Sequence, residues 1–124
     1  CGLCRPSPRV LHAPWVAVLA ESGVVRRLLL YLLEAHRFRV LLARDVEGLL
    51  RLLKSRPKGV ILQGEKAVEA ARKVRATPEG RLASLYLVSE TPPGLLLRPL
   101  RLLHLPKPLR SQEVLKALEP LRRG

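Results

Sequence analysis

Aromatic residues are nearly absent from this chain. One Trp, two Tyr and one Phe occur in 124 residues, 3 % of the total, and there is no Met. A core of normal density must therefore be filled by aliphatic side chains. The 48 % hydrophobic fraction supplies enough Leu, Val and Ala for one sizeable core, as expected of a single domain of this length. The same scarcity removes the stacking platform on which binders of single-stranded nucleic acid rely. Long apolar runs are missing too: none approaches the ~18 residues of a membrane span. Nothing orders basic, apolar and small segments as a secretory signal does. A cytoplasmic protein with no membrane partner is the expectation.

Acidic residues are also few, with 10 Asp and Glu against 23 Lys and Arg, a formal net charge of +13. Such an excess attracts polyanions without selectivity. The cations are scattered, however, with Arg26, Arg37, Arg51, Arg72, Arg98 and Arg122 spread along the chain. Scatter of this kind describes a solvated basic surface, so nucleic acid is a partner the pattern allows but does not favour.

Only two cysteines occur, Cys1 and Cys4, in C-x-x-C spacing. One such pair is half of a tetrahedral zinc site, and His12 would be a third ligand with a second chain supplying the rest. A redox pair is the other reading. Both are weakened by the setting, because residues 1–14 (CGLCRPSPRVLHAP) are Pro-containing and without period, an extended leader ahead of a domain over 15–124. An incidental pair on that arm is the preferred reading, and no metal or cofactor is expected. The eight glycines are dispersed, none in G-x-G-x-x-G or P-loop spacing, and no Ser/His/Asp order appears. Nothing here reads as an enzyme.

Short continuous apolar runs alternate with helical stripes. WVAVLA (15–20), FRVLLA (38–43), GVILQ (59–63), SLYLVS (84–89) and a run near 101–105 read as strands buried on both faces. Between them, apolar residues at 25, 28, 29 and 32 mark a helix capped by Ser22, ending at His36 as an exposed C-terminal cap. Val46, Leu49, Leu50 and Leu53 mark a second helix capped by Asp45 and stopped by Pro57. Ala67, Val68, Ala71 and Val74 give a third over 65–76, and TPEGR a turn. Val114, Leu115, Leu118 and Leu121 give a last one, capped by Ser111. The Pro-broken stretch after Ser89 leaves the fourth crossover helix shortened or lost. Strand–helix alternation predicts an α/β fold, a doubly wound parallel sheet of five strands of the flavodoxin-like kind. Working groups in such sheets gather at the carboxyl ends of the strands. Those ends carry Ala20 and Glu21, Ala43 to Asp45, Gln63 and Gly64, Ser89 and Glu90, and Pro106 to Pro108.

From Trp15 to Arg123 the chain resembles the receiver domain of bacterial two-component response regulators. The likeness rests on the element order, on VAVLAESGVVRRLL as first strand and helix, on RPKGVILQ where the family writes a third strand led by Pro-Asp, and on LPKPL, whose Lys107-Pro108 pair is its most specific element. The resemblance implies a magnesium ion held by two carboxylates after strand one and a phosphorylated aspartate ending strand three. It also implies a hydroxyl after strand four and a lysine after strand five that bind the phosphoryl oxygens.

Carried over, the acidic pair falls on Ala20 and Glu21, the phosphoacceptor on Gln63, the hydroxyl on Ser89, the aromatic switch on His104 and the lysine on Lys107. One carboxylate is missing, and a glutamine amide cannot form an acyl phosphate. The pattern is that of a degenerate pseudo-receiver, a non-phosphorylatable signalling or scaffolding domain acting through protein–protein contact. Two alternatives stand beside it: a basic nucleic-acid-associated protein, and an atypical receiver phosphorylated elsewhere, at Glu65 or Asp45. In the vestigial pocket an ion pair of Lys107 with Glu21 is expected, and a Gln63 hydrogen bond to Lys107 or Ser89. His104 reads as a packed strand residue. The apolar excess of PPGLLLRPLRLL marks an interaction face of Leu95, Leu96, Leu97, Arg98 and Arg101 for a protein partner or a homodimer.

Overall fold

The computed structural model describes residues 14–123. Five parallel strands, β1 (Trp15–Ala20), β2 (Arg39–Leu42), β3 (Gly59–Gln63), β4 (Ser84–Ser89) and β5 (Leu102–Pro106), form one sheet in the order β2-β1-β3-β4-β5. Helix α1 (Gly23–Ala35) joins β1 to β2, α2 (Val46–Leu52) joins β2 to β3, α3 (Ala67–Arg75) joins β3 to β4, and α4 (Ser111–Arg123) follows β5. This is the expected doubly wound arrangement. The order of strands reverses between β1 and β3, and the crevice outside their carboxyl ends is where such folds place their sites.

The central strands β1, β3 and β4 read as continuous apolar runs because both faces are covered, and their period-2 alternation divides them between two cores, whereas the edge strands β2 and β5 are only half-buried, not buried on both faces as expected. Val16, Val18 and Ala20 of β1 join Ile61, Tyr86 and Val88 beneath α1 and α4. Ala17 and Leu19 join Val60, Leu62, Leu85 and Leu87 beneath α2 and α3. With so few rings, Tyr86 is the largest wholly buried side chain, and its hydroxyl donates to the Ala117 carbonyl of α4 at 2.8 Å. Burial raises the Tyr86 phenol above its ordinary value, a shift partly opposed by a hydrogen bond with Ser84. At the β2 edge, the Arg39 guanidinium lies 5.2 Å over the Trp15 ring.

Ser22 and Asp45 cap α1 and α2 as expected, accepting from the Val25 N–H at 3.4 Å and the Gly48 N–H at 2.7 Å. Details of the helix faces differ from the sequence reading. In α1 the buried residues are Val25, Leu29, Leu32 and Leu33, while Leu28 faces outward. In α3 Ala70 replaces Val68 on the inner face, and the helix begins at Ala67 rather than at Glu65. His36 is the α1 C-cap but half-buried rather than exposed, and α4 begins on Ser111 itself. The TPEGR segment is a helical turn, Pro78–Arg81, with Thr77 as its N-cap. The fourth crossover is a 3-10 segment, Leu95–Leu100, containing Pro99. The expected loss of a regular helix there follows from prolines that cannot donate to a helical ladder. Among the described residues no helix is long and apolar enough to cross a membrane.

Candidate functional site

The strand ends bring the carried-over residues to one edge of the sheet, in two groups. The first group stands at the switch point. Ala20 and Gln63 are register partners in β1 and β3. The Glu21 N–H donates to the Gln63 backbone carbonyl at 3.2 Å. The Gln63 side-chain oxygen accepts from the Ser22 N–H at 2.9 Å, and the Glu21 carboxylate accepts from the Glu65 N–H at 2.8 Å. Three hydrogen bonds thus fasten the turn after β1 to the turn after β3, running in both directions between them. The Gln63 amide turns toward Ser22, not toward Lys107 or Ser89 as the sequence reading expected.

Gly64 makes this contact sterically feasible. Its φ is +118°, a region glycine enters at little cost, and a Cβ at this position would collide with the Glu21 carboxylate. Glu65 lies in the turn ahead of α3, where its amide, not its carboxylate, serves the site.

The second group stands at β4 and β5. Ser89 pairs with Pro106, and the Lys107 N–H donates to the Ser89 carbonyl at 3.2 Å. A ring nitrogen of His104 lies 2.9 Å from the same carbonyl. His104 is half-buried, as befits a strand residue with one polar contact. The Ser89 hydroxyl donates to the Thr91 carbonyl. Lys107, joined to Pro108 by a cis peptide bond, has its side chain exposed. The expected Glu21–Lys107 ion pair is not formed: Glu21 is engaged by Glu65 at β1 and β3, and Lys107 lies beyond Ser89 at β5.

A small pocket of about 100 Å³ opens beside the first group, lined by Glu21, Arg44, Asp45, Gln63 and Lys66 over an apolar base that includes Leu19 and Val46. Its lining includes two acidic and two basic residues, which balance in formal charge. The donor set does not fit a magnesium ion. That ion takes several hard oxygens in octahedral array, whereas Ala20 offers a methyl group. The Gln63 side-chain oxygen and one Glu21 carboxylate oxygen are held by backbone N–H groups, and one Asp45 oxygen caps α2. Among the described residues no three His, Cys, Asp or Glu side chains gather as a metal site. Cys1, Cys4 and His12 lie outside the described residues.

Reading the sequence missed Arg75. It ends α3, and its Nε donates to the Leu100 carbonyl at 2.8 Å. Its Nη1 donates to the Ala83, Gly80 and Arg81 carbonyls at 2.7, 2.9 and 3.1 Å, and its Nη2 to Arg101 at 3.4 Å. One planar fork thereby ties α3, the Pro78–Arg81 turn and the 3-10 segment together. Burial lowers the Arg75 pKa from its ordinary value, with neighbouring Arg101 adding to the effect. No sequence signal marks it among the other arginines of the chain, because its partners are backbone carbonyls from separate segments.

The fastened segment carries the leucines and arginines of the expected interaction face, whose exposure varies. Leu95 and Leu96 are 77 % and 92 % exposed. Arg98 and Arg101 are exposed beside them, Leu97 is half-buried, and a shallow depression of about 210 Å³ lies between Pro93, Leu97, Arg98 and Arg101.

No family model matches the chain, and no curated protein matches it. Solved structures do. A chemotaxis response regulator of Vibrio cholerae superimposes with a TM-score of 0.78 at 17 % identity, over 88 % of this chain and 98 % of that one. A response regulator receiver protein from Pseudomonas putida gives 0.74 at 21 % identity, over 87 % and 97 %. The receiver domain of a sensor histidine kinase from Pseudomonas aeruginosa, solved with a magnesium ion in its active-site cleft, gives 0.70 at 16 % identity, over 90 % and 99 %. Residues 14–123 have the CheY-like fold of these receiver-domain structures.

Proposed function

We propose that this chain is a cytoplasmic receiver-fold module that is not phosphorylated and acts in signalling or scaffolding by binding protein. A single observation carries the reading: the residue ending β3 is Gln63, an amide whose oxygen is held by the Ser22 N–H. Phosphoryl transfer to a receiver carboxylate needs a nucleophilic oxygen, neutralisation of charge and alignment. An amide supplies no such nucleophile, and the oxygens around it do not suit a magnesium ion. The competing acids have other employment, since Asp45 caps α2 and Glu65 precedes α3 at the surface.

With the covalent switch removed, what the domain offers is a fixed shape. The exposed leucines of the Leu95–Arg101 segment support contact with another protein through this side of the sheet. A homodimer through β4, β5 and α4 is one form of that contact. Nucleic acid is supported only by the net charge of +13.

The test is incubation with a small phosphoryl donor and magnesium, followed by intact-mass measurement. The mass is expected to stay unchanged. A gain of one phosphate, mapped to a carboxylate, would overturn the reading.

A further inference from the structure

The net charge of +13 names no site by itself, but the fold does not leave it evenly spread. All strands of a parallel sheet begin at one edge, and the turns that enter four of the five strands carry cations. Arg37 leads into β2, Lys54, Arg56 and Lys58 into β3, Arg81 into β4 and Arg101 into β5. All six are exposed, and the one acid within 36–38, 53–58, 76–83 and 101 is Glu79. The turns leaving the strands, at the Gln63 edge, are balanced: Glu21, Asp45, Glu65 and Glu90 stand against Arg44, Lys66, Lys107 and Arg110. The closing turns of the helices also reach the first edge, but their Arg51 and Arg72 offset Glu34 and Glu119 and leave the excess standing.

Three of these cations sit where the backbone disfavours them. Arg37, Arg56 and Arg101 have φ of 66°, 53° and 53°, and among the described residues no other non-glycine residue has a positive φ. Each ends a helical segment: Arg37 follows the C-cap of α1, and Arg56 and Arg101 close the 3-10 turns Leu53–Ser55 and Leu95–Leu100. Glycine is the usual residue at such left-handed ends. Three arginines in glycine positions along one edge point to a use for the charge that outweighs the strain.

We infer that the amino-terminal edge of the sheet is a binding surface for the phosphate backbone of a nucleic-acid duplex. It is a second surface, opposite the Gln63 site and independent of it.

The edge is a fixed row. The Lys58 N–H donates to the Trp15 carbonyl at 2.9 Å, the Ser84 N–H to the Lys58 carbonyl at 3.0 Å, and an Arg101 Nη2 to the Arg81 carbonyl at 2.9 Å. Five strands about 4.8 Å apart make the edge about 20 Å wide, a straight line of cations against a regular line of phosphates. Arginine forks suit phosphate oxygens in pairs. Trp15 is covered by the Arg39 guanidinium, so that ring is not open to unstacked bases, and a duplex fits better than a single strand. One exposed leucine at this edge, Leu82, is too little apolar area to anchor the edge in a lipid surface.

The experiment is a fluorescence-anisotropy titration of the intact chain with a labelled DNA duplex of about 20 base pairs, between about 50 and 200 mM salt. Polyglutamate and vesicles of phosphatidylcholine and phosphatidylglycerol are titrated alongside. The key variant is Arg37→Gln/Arg56→Gln/Arg101→Gln. Its charge-matched control is Arg26→Gln/Arg27→Gln/Arg110→Gln, at exposed positions near the start of α1 and ahead of α4, toward the other edge. The parent should bind the duplex, and more weakly as salt rises. The key variant should bind at least about tenfold more weakly at low salt, with a log–log salt slope shallower by about two or more. The control should lose less than about threefold. Arg37→Gly/Arg56→Gly, a second variant that removes strain together with charge, should melt no lower than the parent and still bind the duplex more weakly.

Equal losses in the two triple variants would mean diffuse attraction to net charge and would overturn the inference. So would absence of duplex binding at low salt, or polyglutamate or vesicles bound as tightly as the duplex. Parental binding by the glycine variant, or its melting well below the parent, would show that the arginines serve the turns themselves and would overturn it equally.

Discussion

Gln63 and Ser22, which lie 41 residues apart, meet at 2.9 Å, with the amide oxygen of one accepting the backbone N–H of the other. Ser22 also caps α1, so the bond fixes the start of that helix relative to the end of β3. Replacing Gln63 with Ala leaves the Ser22 N–H without its acceptor. A loss of about 1 kcal/mol in unfolding free energy is expected, since a part-buried hydrogen bond is worth about that much. Urea denaturation of the variant and parent checks it; an unchanged midpoint would show that water replaces the contact in full.

Gly64 should tolerate substitution worse than Gln63 does. Gly64→Ala adds a methyl group that meets the Glu21 carboxylate, in a backbone region that L side chains rarely enter. The expected cost is about 2 kcal/mol or more, combining strain with displacement of Glu21 from the Glu65 N–H. Glu21→Ala in the same background should recover part of that loss by removing the clash. Thermal or urea unfolding of the single and double variants measures the coupling directly.

Arg75 should matter for stability out of proportion to its place on the surface map. Arg75→Met removes the donor of five carbonyl contacts that join three segments. Hydrogen bonds to charged donors contribute more than neutral ones, so about 2–4 kcal/mol is expected. Arg75→Lys should restore only part, because an ammonium cannot reproduce the planar fork. Hydrogen exchange should localise the added opening to residues 78–83 and 95–101.

Tyr86 predicts a pH effect. Burial raises its pKa above its ordinary value of 10.0, so the folded state binds the phenolic proton more tightly than the unfolded state does. The resulting stability is fully present below about pH 10 and is lost as pH rises through the folded value. Tyr86→Phe should cost about 1 kcal/mol at neutral pH through the lost bond to Ala117. It should also flatten the stability profile above pH 10. Urea unfolding at pH 7, 9.5 and 10.5 separates the two effects; parallel profiles for parent and variant would refute the assignment.

The strands were legible in the sequence to within a residue or two: the central ones because a strand buried on both faces must be apolar throughout and short, the half-buried edge strands β2 and β5 because they too are short apolar runs. Ser22 and Asp45 were legible as caps for an equally local reason: each side chain bonds an N–H three residues ahead. Helix faces were read less well. Leu28 was expected inside and is 37 % exposed, because several rotations of a leucine-rich helix satisfy the same spacing. The site was legible as a set of positions and not as a set of contacts. Lys107 and Glu21 looked like natural partners by charge, but they belong to separate groups along the sheet edge.

Sequence alone determined the parallel α/β fold, the amide at the end of β3 and the cationic, leucine-rich stretch near the end of the chain. Each follows from residue type and local order. Tertiary structure decided which hydrogen bonds those residues make: Gln63 with Ser22, Glu21 with Glu65, and Arg75 with carbonyls from two separate stretches, 80–83 and 100–101. Such choices depend on which chain ends the strand order brings side by side, and no local pattern encodes that proximity.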